Sequence, residues 1–283
     1  MRKRFFTSAA FAVLATALLW QPAAAQLRLP PASSAQTITQ GLGISTVTLS
    51  YFRPSMNGRK IFGELVPYNE VWRTGANNIP TLTFDGTVTI AGTAVQPGTY
   101  GLLTIPGKTE WTVILSKNAQ QWGAYAYKED EDLLRFKVKP EKLNKPVETF
   151  TISFSDVAPQ SARLNIAWEK TQVGFDLTVE QDAEIMASID EAMKGEKKPY
   201  FPAAQYYYKN GKDIAKALEW INEAEKASPQ APHVKYWKAR IQLKAGDKQG
   251  AIATAQQGIA LAEQANNAEY VKLNGQVIAE AKK

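Results

Sequence analysis

Cysteine is absent from this chain of 283 residues, and histidine occurs once, at His233. The first absence excludes a thiol nucleophile, a thiolate metal site and any disulfide. The second excludes a Ser–His–Asp site in the amino-terminal half and a zinc site built on several imidazoles. His233 stands beside Pro232 at an expected helix start, where a solvated or capping role fits better than catalysis. No phosphate-binding loop or dinucleotide glycine fingerprint is present, since Gly41-Leu42-Gly43 is too short and lacks a following helix. Neither a cofactor nor a metal is implied. Long apolar runs are scarce as well. One spans residues 5–20, interrupted by Thr7, Ser8 and Thr16, and no later segment approaches membrane-spanning length.

That run follows Arg2, Lys3 and Arg4 and ends in Ala23-Ala24-Ala25, so residues 1–25 read as a secretory signal peptide with Gln26 as first mature residue. It is short for an uncleaved anchor, and no cysteine follows it for lipid attachment. A periplasmic or secreted protein without a transmembrane segment is expected. Cleavage would take the formal charge from +6 to +3, too mild and dispersed a surplus to call for nucleic acid. The remaining chain of about 258 residues must be held by buried cores, in one large or two ordinary domains.

Residues 26–40 are set apart as a flexible leader, because 27–36 are rich in Pro, Ser and Ala and lack periodicity. Strand patterns begin near Thr37 and continue to Glu180. Alternating or β-branched runs occupy 46–51, 81–84, 87–90, 100–105, 111–115, 133–138, 149–154, 162–168 and 172–179. Turn residues such as Asp85-Gly86, Pro97-Gly98 and Pro106-Gly107 separate them, which predicts an antiparallel sandwich or barrel-like β domain over 41–180. From Asp182 the period becomes helical. A helix is predicted over 183–193, a break over 195–202, and an all-α domain over 203–283. Ala217, Ile221 and Ala224 recur 34 residues later as Ala251, Ala255 and Gly258, which resembles the second helix of a tetratricopeptide repeat. Two helical hairpins and a closing helix from Ala268 are expected, the alternative being a generic helical bundle.

With thiol and imidazole chemistry removed, carboxylates and aromatics remain. Glu64, Glu70, Glu110, Glu148, Glu169 and Asp176 could supply an acid/base pair, but spacing singles out no two of them. For Glu64 and Glu70 an ion pair with a nearby cation is the simpler role, and the acidic run 129–132 reads as a solvated hairpin tip rather than a calcium loop. Trp111, in TEWTVIL, reads as core. Trp122 and Tyr125, in QWGAYAY, stand beside Gly123, where a bend can re-aim side chains toward a cleft. Exposed rings of this kind stack on sugar faces.

Residues 51–77, YFRPSMNGRKIFGELVPYNEVWRTGAN, fit neither period. Cations alternate there with aromatic anchors and with the breakers Pro54, Gly58, Gly63 and Pro67, which suits a long loop packed across the end of a sandwich. Arg53, Lys60, Arg73 and Asn77, with Trp72, are candidates for a polar pocket. The competing reading is that such side chains bond backbone carbonyls and lock the loop. The motifs RP-x3-GRKIFG-x-LVPY-x2-VWRTGAN, AG-x4-PGTYGLLTIPG-x2-EWTVIL, QWGAY and VKP-x-KL, in this order between Gly41 and Val179, resemble the bacterial domain of unknown function 2911. The resemblance implies an exported protein with a largely β domain and no assigned activity, and it supplies no catalytic residues. After Asn77 the chain continues Asn78-Ile79-Pro80, where the family pattern usually carries an acidic or small residue, so no acid role is expected there.

The leading expectation is a binding protein. Its β domain takes a small anionic or carbohydrate ligand at Arg53, Lys60, Trp72, Arg73, Asn77, Trp122 and Tyr125, and its helical tail contacts a protein partner. Alternatives are a carbohydrate-active enzyme or lectin-like module, and a structural scaffold in an envelope complex.

Overall fold

The computed structural model describes residues 29–283, so the expected signal peptide lies outside the described residues. The chain divides into two compact units, Met1–Val179 and Glu180–Lys283. The first is antiparallel β structure and the second is helical.

Among the described residues, ten strands make two sheets. One has six strands: β1 (Ser34–Leu42), β2 (Ser45–Arg53), β3 (Thr81–Phe84), β6 (Gly98–Ile105), β7 (Trp111–Ser116) and β8 (Asp132–Val138), paired in that order. The other runs β5 (Thr93–Val95), β4 (Val88–Ile90), β10 (Ser161–Thr178), β9 (Glu141–Ala158). In β2, Val47, Leu49 and Tyr51 are buried in alternation, as a strand with one face on a core requires. They join Leu82, Leu102, Trp111 and Val113 of their own sheet and Phe150, Ile152, Leu164, Ile166 and Leu177 of the other in one hydrophobic cluster. The unit is therefore a sandwich. Strand β7 departs from alternation because all six of its residues are buried. Its second face, with Ile114, packs with Leu103 and Ile79 beneath Val71, Ala124 and Tyr127, which belong to loops folded over the sheet.

Three expectations need correction. The leader ends earlier than residue 40, because Ser34–Leu42 pair along their length with β2 across the turn at Gly43-Ile44. The runs at 162–168 and 172–179 are one strand, β10. Glu169-Lys170-Thr171 bends it through register shifts, with Glu169 at φ 55°, rather than ending it. The break expected at 195–202 stops sooner, because helix α2 (Tyr200–Lys209) takes Pro202 into its first turn, where a missing N–H costs nothing.

The helical unit contains α1 (Asp182–Ala192), α2, α3 (Ile214–Ala227), α4 (Pro232–Lys244), α5 (Lys248–Gln264) and α6 (Ala268–Ala281). Asp213, Asp247 and Asn267 cap the starts of α3, α5 and α6 by accepting backbone N–H bonds. Ala217, Ile221 and Ala224 are buried with Tyr207, Trp220 and Val234, and Ala251 and Ala255 with Ala239 and Val277. Small residues at these contacts let neighbouring helices approach closely. A methyl at Gly258 would come within 2.5 Å of the Asn274 carboxamide.

Candidate functional site

Residues 54–80 connect β2 to β3 without regular structure, and backbone bonds fix their course. Pro54 O accepts from Phe150 N at 2.8 Å, and Met56 N donates to Glu148 O at 2.9 Å, so the loop first pairs with the open edge of β9. It then crosses to the other sheet, where Trp72 and Thr104 exchange N–H···O bonds of 2.7 and 3.1 Å. Finally it pairs with the segment between β7 and β8, Ile79 N donating to Gln121 O at 3.1 Å and Gly123 N to Asn77 O at 3.0 Å. Trp72 fastens the crossing. Its ring stacks on Trp168 (centroids 6.0 Å apart, planes at 11°) and meets Phe62, Trp111 and Phe150 edge-on.

This course encloses a cleft of about 670 Å³, bordered by Arg59, Trp72, Arg73, Asn77 and Tyr125, with Asn57, Glu70 and Trp168. Such a volume suits a small-molecule ligand. Arg73 is half-buried, and its Nε donates to Gly75 O at 3.2 Å. Neither terminal nitrogen of that guanidinium has a hydrogen-bond or ion-pair partner among the described residues. Its backbone is held on both sides. Trp72 is in the bridge to Thr104, and Thr74, fully buried, sits at φ 55° with its hydroxyl 2.9 Å from that of Thr104. A β-branched residue in the left-handed region is a true outlier, and such conformations persist only where surroundings enforce them. Gly75 at φ 136° follows, and a methyl there would come 3.0 Å from Phe52 O.

Arg59 lines the same cleft and donates only to carbonyls, Met56 O at 2.8 Å and Ser55 O at 2.6 Å. Its positive charge is thus not neutralised by an ion pair among the described residues. Glu70 is the single carboxylate among the cleft's described lining residues, so the two facing carboxylates of a glycosidase are not formed there.

The seven candidates separate into two groups. Trp72, Arg73, Asn77 and Tyr125 meet at the cleft, and Trp122 stacks on Tyr125 with centroids 6.0 Å apart. Arg53 and Lys60 do not join them. Arg53 turns to the β9 edge, donating from Nε to Phe150 O at 3.2 Å and from Nη2 to Thr151 Oγ1 at 2.9 Å. Lys60 pairs with Glu64 at 3.0 Å and borders a separate cleft of about 310 Å³ near Lys108, Lys142 and Lys170. Sequence reasoning missed Arg59, Asn57 and Trp168 as cleft residues. The turn at Asn57-Gly58 was visible, but not that Asn57 and Arg59 border the same cleft as Arg73.

The segment after β7 is pinned by a second polar cluster. Tyr127 Oη donates to Asp132 Oδ2 at 2.8 Å, and Arg135 donates to both Tyr127 and Asp132. Burial, then the adjacent Asp132 carboxylate, pushes the Tyr127 phenol up to about 12, so it remains a donor across the ordinary pH range. Among the described residues no three His, Cys, Asp or Glu side chains gather closely enough to hold a metal ion.

Residues 33–177, which take in both sheets but for Thr178 and every cleft-lining residue but Ala32, match the family described as "Protein of unknown function (DUF2911)". The chain belongs to this family. No curated protein and no solved structure matches it significantly. In DUF2911 terms, the motif VWRTGAN is the stretch that supplies Trp72, Arg73 and Asn77 to the cleft and the left-handed turn between them.

Proposed function

We propose that this is an exported bacterial binding protein, periplasmic or secreted, whose β unit captures a small anionic ligand in the cleft at Arg73. The observation that carries this reading is the state of Arg73. A half-buried guanidinium, on a backbone held at both sides, leaves its forked terminal donors without an acceptor among the described residues, in a cleft also lined by Arg59, which has no carboxylate partner among those residues. That fork matches carboxylate and phosphate geometry, and a pre-positioned side chain loses less freedom on binding. The helical unit is proposed as a protein-contacting array of two tetratricopeptide-like hairpins. In support, Ala217, Ile221 and Ala224 of α3 and their counterparts 34 residues on in α5 are all buried.

The test is a thermal-shift series with citrate, glutamate and phosphate on wild type and Arg73→Gln. Wild type is expected to gain stability with anion concentration, and Arg73→Gln, folded with a similar unliganded Tm, is expected to lose that gain. Equal gains in both proteins would remove Arg73 from the site.

A further inference from the structure

Trp122 is 65% exposed and Tyr125 is 80% exposed. The two rings stack on each other at 25°, outside either hydrophobic cluster of the β unit. Burying such rings is worth a good deal to a fold, so a stacked pair left in solvent beside a cleft is a surface that gains from being covered. Its position is built. Gly123, at φ 75°, is tied to Asn77 O, and a methyl on it would come 2.8 Å from the Tyr125 ring. Arg73 Nη1 lies 3.7 Å from that same point. The terminal nitrogens of Arg73, without a partner among the described residues, and the ring therefore flank one glycine, within the reach of a single sugar ring and its substituents.

The other polar groups of the cleft narrow the ligand further. The carboxamides of Asn57 and Asn77 make no hydrogen bond among the described residues, and each offers both donors and an acceptor. Glu70 also lines the cleft without an ion pair among those residues, and a carboxylate only accepts. Phosphate or sulfate needs donors on every side and would face Glu70 unfavourably. A ligand with one carboxylate, several hydroxyls and a flat apolar face uses the Arg73 guanidinium, the two carboxamides, Glu70 and the Tyr125 ring.

Resting on the anion-binding reading above, we propose that the ligand is an acidic saccharide. A uronic acid unit sets its carboxylate on Arg73 and its ring face on Tyr125, backed by Trp122, and its hydroxyls bond Asn57, Asn77 and Glu70. The cleft, at about 670 Å³, has room for neighbouring sugars, so an oligosaccharide is the expected form.

The experiment is isothermal titration of the full chain with a panel of uronate trisaccharides of differing stereochemistry, the methyl ester of each, and citrate. It is repeated on Arg73→Gln and Tyr125→Ala after circular dichroism shows both to be folded. At least one uronate trisaccharide is expected to bind wild type, with its ester weaker by about tenfold or more, the worth of a charge-assisted bond. Tyr125→Ala is expected to lose more affinity for the trisaccharide than for citrate. If citrate binds as well as every trisaccharide and Tyr125→Ala weakens all alike, the saccharide inference fails while the anion site stands. Equal binding of acid and ester overturns the role given to the carboxylate. Binding of none of the acids overturns both readings together.

Discussion

Arg53 and Arg73 sit in the same loop motif, and their side chains have opposite fates. Arg53 is the last residue of the alternating strand β2, and its side chain meets the open edge of β9 and is consumed by Phe150 O and Thr151. Arg73 precedes a left-handed Thr74 and Gly75, which turn the chain and leave its guanidinium at the cleft. Periodicity predicts direction within a strand but neither which neighbouring edge a strand end meets nor the aim of a loop whose residues take positive φ, so the sequence alone does not separate Arg53 and Lys60 from Arg73. The residue types were legible; their aim was not. The clamp gives a direct consequence. Gly75→Ala forces φ 136° on an alanine and brings its methyl 3.0 Å from Phe52 O, so a loss of about 1–3 kcal/mol is expected in urea denaturation. Wild-type stability in this variant would mean that Gly75 does not hold the turn.

Among elements, the strands with clean alternation or β-branched runs were readable, and β3 spans the four residues predicted for it. Strand β1 was obscured by the Pro-rich residues before it, since its pairing with β2 is decided by register rather than by its own weak pattern. Strand β7 read as core, and its complete burial comes from loops no strand pattern encodes. In the helical unit, α3 is tied to α4 through Glu225, whose carboxylate accepts from Lys235 and Lys238, each at 2.6 Å. Burial alone would raise the Glu225 carboxyl, but the two lysine bonds and their charges outweigh it and hold it below the ordinary value of 4.5. A group whose folded pKa is depressed stabilises the fold fully above its unfolded pKa and loses that contribution as pH falls through the folded value. Glu225→Gln is therefore expected to cost about 1–3 kcal/mol at pH 7. Its deficit against wild type should shrink as pH drops below 4.5. A deficit that stays constant into acid, in denaturation curves run across that range, would contradict the ion-pair account.

At the scale of the whole molecule, the order of a β unit followed by a helical one was legible from the change of period near Asp182. The cleft was not, because it is made by joining residues 54–77, Ala124, Tyr125 and Trp168, which only the folded sandwich brings together. The proposed ligand site is this face and not the cation-rich loop in general. The most direct measurement is the set of side-chain Nη–Hη resonances of each arginine in ¹⁵N-labelled protein at low temperature, assigned by substitution and followed through titration with an acidic ligand such as citrate or a uronate trisaccharide. The Arg73 resonances are expected to shift to saturation, while those of Arg53, whose Nη2 is already bonded to Thr151 Oγ1, stay in place. Parallel movement of both, or of neither, would contradict the assignment of the cleft.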